Sequence, residues 1–189
     1  EQASFALSGP QTILGGGLAL QVTNAPTGEY VIRWSPVAFY ETPAPQTNTL
    51  TTHTPIHFVG AYTFPDTNGN GISDLFEMHY FQTVAQPHPP DTDSDRDGAS
   101  DLAEFVAGTN PVDPASCLEI TAVNQLMNRT VRIEWRSVAS HAYQLELSTN
   151  LVDWLPTSDW IRAPGSISFL TLPPLTGTPE YFFRIRARP

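Results

Sequence analysis

Apolar and polar positions along this chain alternate in short runs, and almost nowhere with the 3.6-residue period of a helix. Over residues 1–64 the pattern predicts strands at Leu18–Val22 and Tyr30–Trp34, on either side of the turn-rich Thr23–Gly28. Two more follow, at Thr47–Thr54, rich in β-branched residues, and at Ile56–Phe64, where His57, Val59 and Ala61 alternate with Phe58, Gly60 and Tyr62. The same texture returns at Leu118–Val123, Thr130–Arg136, Tyr143–Ser148, Ile167–Leu172 and Tyr181–Ala187. Between them, residues 65–115 hold Asp/Asn-rich loops, helical patches at about Asp74–Val84 and Asp101–Ala107, and a proline hinge over Gln86–Pro90. Gly108 stands where a helix-terminating glycine belongs, with Pro111 shortly after. The fold class is mainly β: two small antiparallel β-sandwich domains, 1–64 and 116–189, joined over 65–115 by a loop–helix linker with two short helices.

Charge sharpens this division. The chain has 189 residues and a net charge of −10. Residues 65–115 contain ten acids against one Arg, residues 1–64 three against one, and residues 116–189 six against seven. A dense run of carboxylates repels itself and implies either disorder or a bound cation. The same balance argues against nucleic acid as a partner. The apolar runs are only a few residues long, so no membrane span is expected. The chain opens at Glu1 with no apolar leader, as expected of a mature protein whose signal peptide has been removed. Cys117 is the single cysteine, which leaves no intrachain disulfide and no Cys-based zinc site; it reads as a small core hydrophobe.

The acidic segment contains two loops with one spacing. A calcium loop of the EF-hand type draws ligands from positions 1, 3, 5, 7, 9 and 12 and needs glycine at position 6. Counted from Asp66, these are Asp66, Asn68, Asn70, Ile72 (through its carbonyl), Asp74 and Glu77, with Gly71 at the turn. Counted from Asp93, they are Asp93, Asp95, Asp97, Ala99 (through its carbonyl), Asp101 and Glu104, with Gly98 at the turn. Calcium takes six to eight hard oxygens at roughly 2.3–2.6 Å, and alternate residues of a tightly wound loop converge on one point. Two Ca²⁺ sites are therefore expected. The second loop, with five carboxylates against three in the first, is expected to bind more tightly. Neither loop has an entering helix: a predicted strand precedes the first and His88-Pro89-Pro90 the second. Ser73 and Ser100 occupy position 8, where an EF-hand usually carries an apolar β-branched residue. Asp91, Asn110 and Asp113 are further acidic or amide groups nearby, read as turn residues.

Three stretches resemble known modules. The Gly-Ile-Ser-Asp and Gly-Ala-Ser-Asp cores, with the tail AGTNPVDPAS, resemble bacterial thrombospondin type 3-like repeats over residues 65–116. That resemblance implies a calcium-stabilised spacer between extracellular domains. The run TGEYVIRWSPVAFYETPAPQTNTLTTHTPIHFVGAYTF resembles PEGA-type bacterial surface β-domains, with Phe39-Tyr40 in place of the central Gly-Tyr. The segments VRIEWRSVASHAYQLELSTNLVDW and YFFRIRA resemble fibronectin type III-like domains, which implies Trp135 as a core aromatic and a tyrosine-corner role for Tyr181.

No catalytic constellation accompanies these modules. His53 and His57 are separated by Pro55 in a strand-like run, His79 lies in a helical patch, His88 in the hinge and His141 in a turn. No nucleophile elbow, phosphate loop or His-Glu-x-x-His motif is present. The expected function is non-enzymatic: an extracellular or cell-surface, calcium-stabilised structural or adhesive subunit. The alternative is a carbohydrate-binding or other ligand-binding accessory module, with a glycan or cell surface as partner, for which an exposed Trp or Tyr platform would be the mark. A homo-polymer is a further expected partner. Phe5 and Leu7 give Ala3–Ser8 strand character and the flexible Gly15-Gly16-Gly17 follows, so the segment either joins a neighbour's sheet or forms the first strand of its own. Arg184, Arg186 and Arg188 put three cations on one strand face, complementary to a neighbour's acidic segment or simply solvated.

Overall fold

A computed structural model describes residues 4–17, 19–84, 88–175 and 180–188. Its secondary structure is mainly β, arranged in several antiparallel sheets with two short helices. The chain divides into two compact units, Glu1–Gln86 and Pro87–Pro189. The boundary falls inside the acidic segment, so the first loop belongs to the N-terminal unit and the second to the C-terminal unit.

The N-terminal unit has one four-stranded sheet: β1 (Ser4–Ser8), β2 (Ile13–Gly16), β3 (Gly28–Trp34) and β4 (Gln46–Leu50), in the order β2-β1-β3-β4. All pairings are antiparallel, with Phe5 opposite Trp34 and Leu7 opposite Ile32. Tyr30 and Ile32 point into the core and alternate with the outward Glu29 and Arg33, the period of two expected of a half-buried strand. β1 is paired on both sides within its own sheet, the arrangement in which Ser4–Ser8 forms the first strand of its own unit.

Several expectations for this unit change. Gly15 and Gly16 are strand residues, not a spacer: Gly15 lies opposite Phe5, and a Cβ there would run into the Phe5 ring. Residues 19–22 form no strand, and Leu18 lies outside the described residues. The strand expected over Thr47–Thr54 ends at Leu50. Ile56–Phe64 is extended but joins no ladder beyond the isolated bridge between Glu41 and Thr63. Side-chain amides of β4 hold it in place of a backbone ladder. Gln46 Nε2 donates to the Val59 carbonyl at 2.7 Å while the Val59 N–H donates back to Gln46 Oε1 at 3.3 Å. Asn48 Nδ2 donates to the His57 carbonyl at 3.1 Å. The second sheet of the expected sandwich is thus replaced by extended coil.

α1 (Asp74–Tyr80) follows the first loop and α2 (Asp101–Ala107) the second. α1 stops short of the expected Val84, with Phe81 as its C-cap and Gln82 at φ 59°. Phe76 of α1 packs edge-on against Phe39, centroids 5.1 Å apart, which ties the helix to the β3–β4 connection.

The C-terminal unit contains β5 (Ile120–Gln125), β6 (Val131–Arg136), β7 (Ala142–Ser148), β8 (Leu155–Pro156), β9 (Ile161–Arg162), β10 (Ile167–Leu172) and β11 (Phe182–Arg188). One sheet runs β10-β6-β5 and the other β11-β7-β8, with β9 also on β7. Ile133, Trp135 and Leu172 from the first sheet and Tyr143 and Leu145 from the second share one buried core. Trp135 is fully buried, as the sequence implies. The arginine row is anchored: Glu146, only 3% exposed, receives Arg184 at 2.6 Å and Arg186 at 3.3 Å. Arg184 stacks on Trp154 and Arg188 on Trp160, at 4.4 and 4.1 Å from the ring centroids. These cations form a ladder within the unit, and both indoles are covered by guanidinium groups.

Candidate metal centre

The two acidic loops share one hydrogen-bond pattern at positions 1, 3, 5 and 9. In the first, Asp66 Oδ1 accepts from the Gly69 and Asn70 N–H groups at 2.8 and 3.1 Å, and Oδ2 from the Gly71 N–H at 2.9 Å. In the second, Asp93 Oδ1 accepts from the Arg96 N–H at 2.7 Å, and Oδ2 from the Gly98 N–H at 3.0 Å. Positions 3 and 5 repeat this as Asx turns: Asn68 and Asp95 accept from the N–H two residues on, and Asn70 and Asp97 from those of Ile72 and Ala99. Each turn spends one oxygen on the chain and winds the loop inward. Two residues per loop take left-handed φ: Gly69 (72°) and Gly71 (83°), Arg96 (67°) and Gly98 (97°). Position 6 is the glycine the sequence marks; position 4 is not marked, and in the second loop a non-glycine holds it.

Position 9 has a role that the spacing does not show. Asp74 Oδ1 accepts from the Thr67 N–H at 2.9 Å, and Oδ2 from the Thr67 hydroxyl at 2.5 Å. Asp101 accepts from the Ser94 N–H at 3.1 Å and the Ser94 hydroxyl at 2.8 Å, and Asp101 Oδ2 also meets His88 Nε2 at 2.6 Å. The N–H of each residue donates to the carbonyl just before its loop, Pro65 at 2.8 Å and Thr92 at 2.7 Å. Asp74 and Asp101 therefore clasp the loop ends through position 2, instead of turning free oxygens to the centre. A Ser or Thr at position 2 is the sequence signal for this clasp. Ser73 and Ser100, the unusual position-8 residues, cap the exiting helices by accepting from the Leu75 and Ala103 N–H groups.

The remaining ligand candidates converge. In the first loop Glu77, buried at 1% exposure, accepts from Asn68 Nδ2 at 3.0 and 3.1 Å and from Asn70 Nδ2 at 3.1 Å. Positions 3, 5 and 12 thus meet at one point, with amide donors neutralising the carboxylate. Ile72 turns its side chain into the core, which leaves its carbonyl as the group expected to serve a cation. In the second loop one oxygen each of Asp93, Asp95 and Asp97 lie within 4.8 Å of one another. No amide is present among these positions to neutralise them. Asp95 Oδ2, Asp97 Oδ2 and both oxygens of Glu104 are buried without a hydrogen-bond partner.

The electrostatics follow from that arrangement. Burial pushes the Glu104 carboxyl up from 4.5 to about 8, and Asp95, Asp97 and Asp101 add to it; the nearby Thr109 hydroxyl, which makes no hydrogen bond of normal geometry, opposes the shift only in part. Asp95 is raised as well, first by burial and then by its acidic neighbours against the Asp97 N–H. Four buried, unpartnered carboxylate oxygens are costly unless a cation or protons supply the missing charge. Hard oxygen donors without sulfur, on a loop wound by Asx turns, fit calcium. Asp91 and Asp113 are not part of this acidic cluster, and Asn110 and Asp113 accept from the Val112 and Ala115 N–H groups as turn residues. Cys117 is partly buried and free. Comparison with protein-family models, with curated proteins and with solved structures finds no match.

Proposed function

We propose that this chain is a non-enzymatic calcium-binding protein, an extracellular structural or adhesive subunit stiffened by two bound Ca²⁺ ions. The observation that carries the reading is the set of four buried carboxylate oxygens of Asp95, Asp97 and Glu104 that have no hydrogen-bond partner. The matching hydrogen-bond pattern of the first loop supports a second site of the same kind. Ligands at the first site are Asp66, Asn68, Asn70, Glu77 and the Ile72 carbonyl; at the second, Asp93, Asp95, Asp97, Glu104 and the Ala99 carbonyl. Asp74 and Asp101 hold the loops and reach the ion through water, as position 9 commonly does. Each loop is the calcium-dependent part of its own unit, the first of the N-terminal β module and the second of the C-terminal one.

An extracellular setting suits such sites, because calcium near 1 mM fills loops with affinities of roughly 10 μM and adds about 2.7 kcal/mol of stability for each. No helix among the described residues is long and apolar enough to cross a membrane. The carbohydrate reading has less support: Trp135 is buried and Trp154 and Trp160 lie under Arg184 and Arg188. Isothermal titration of the chelated protein with CaCl₂ tests the proposal. Two sites are expected; no heat of binding at millimolar calcium would reject it.

A further inference from the structure

A cleft of about 510 Å³ lies inside the N-terminal unit, between one face of the sheet and the irregular stretches 19–25 and 55–62. Its walls include Phe5, Tyr30, Ile32 and Trp34 from the sheet, and Phe58 and Tyr62 from the covering stretch. Gly60 lets that stretch lie against the Trp34 indole, since a Cβ there would strike the ring. No Asp, Glu or Arg is among the described lining residues, although the chain carries a charge of −10. The Tyr30 and Tyr62 hydroxyls already donate to the Pro26 and Ser35 carbonyls, at 2.9 and 2.6 Å. The cleft therefore presents no carboxylate or guanidinium; its polar side-chain groups are the His57 imidazole, the two tyrosine hydroxyls and the Trp34 indole, set among a majority of apolar side chains.

Size points the same way. The volume falls within the roughly 300–1,000 Å³ of small-molecule sites, and is several times the approximately 150 Å³ of an apolar cavity that takes up benzene. Leu20 and Val22 at its edge are 49% and 40% exposed, so apolar surface remains to be covered there. The covering stretch is held by the Gln46, Asn48 and Tyr62 side chains and by no backbone ladder.

We propose that this cleft is a binding site for an uncharged, apolar small molecule. It is distinct from the calcium loops and adds a ligand-carrying role to the structural one. The probe is neutral N-phenyl-1-naphthylamine, titrated into the full chain and displaced by 1-dodecanol. Blue-shifted emission saturating at one probe per chain is expected, with loss of the signal as the alcohol is added. Ala25→Phe and, separately, Ala19→Phe place a ring in the cleft and are expected to weaken binding by about tenfold or more while the melting midpoint holds. Two variants are used so that a folding failure of one leaves the other decisive. Absence of an emission change, many probes per chain, or unaltered affinity in a folded filling variant would overturn the proposal.

Discussion

Glu104 concentrates the chemistry of the second loop in one side chain. Its folded carboxyl titrates near 8 while an unfolded one titrates near 4.5, so between these values the calcium-free folded state holds a proton that the unfolded state has released. Stability without calcium consequently falls as pH rises from about 4.5 to about 8, and calcium affinity rises over the same window because the ion displaces that proton. Titrations at pH 7 in buffers of different ionisation enthalpy should show release of about one proton per calcium at this site. A heat independent of the buffer would contradict the assignment. Glu77 has amide donors to shield it and Glu104 has none, so Glu104→Gln should cost more calcium affinity than Glu77→Gln. The clasp residues behave differently. Asp101→Ala removes the partner of the Ser94 hydroxyl, the Ser94 N–H and His88, and should destabilise by about 2–3 kcal/mol even in chelator. Urea melts in EDTA check this: a variant that loses stability only when calcium is present would instead make Asp101 a plain ligand.

At the scale of elements, α2 shows how the second loop is fastened to its β module. The Tyr143 hydroxyl accepts from the Val138 N–H at 2.8 Å and donates to the Ala107 carbonyl at 3.0 Å, holding the helix C-terminus to the core. Gly108 ends the helix at φ 77° directly against the His141 ring. Gly108→Ala should cost at least about 1–2 kcal/mol from the left-handed backbone alone, and more because the ring must move. Thermal unfolding of that variant, set beside Gly69→Ala as a left-handed glycine with open space around it, separates the two contributions. The start and end of α2 were legible in the sequence, because the loop spacing ends on Asp101 and Glu104 and Gly108 is a local stop signal, while the Ser100 cap was not read from it. The strands with alternating Tyr30 and Ile32, or Ile133 and Trp135, were legible for the same reason. Ile56–Phe64 was not: its alternation is real, but Gln46 and Asn48 take the places of ladder partners, which only the fold reveals. Gly15 reads as a flexible spacer until Phe5 is seen opposite it. In the loops, the ligand spacing was legible and the clasp was not, since Asp74 and Asp101 meet position 2 only once the chain has turned.

For the whole molecule, the boundary between compact units falls between the loops, at Gln86 and Pro87. Each loop is built into a different unit, so each ion should stabilise mainly its own. Glu77→Gln is expected to remove the calcium response of the N-terminal unit and Glu104→Gln that of the C-terminal unit, seen as the loss of one of two calcium-sensitive unfolding steps. The most direct measurement is differential scanning calorimetry of the intact chain in 1 mM CaCl₂ and again in excess chelator. At about 2.7 kcal/mol per filled site in units of this size, the midpoints should rise by roughly 10–20 °C with calcium. Identical midpoints in the two conditions would contradict the account, because the four buried, unpartnered carboxylate oxygens of Asp95, Asp97 and Glu104 would then have no ion to answer them.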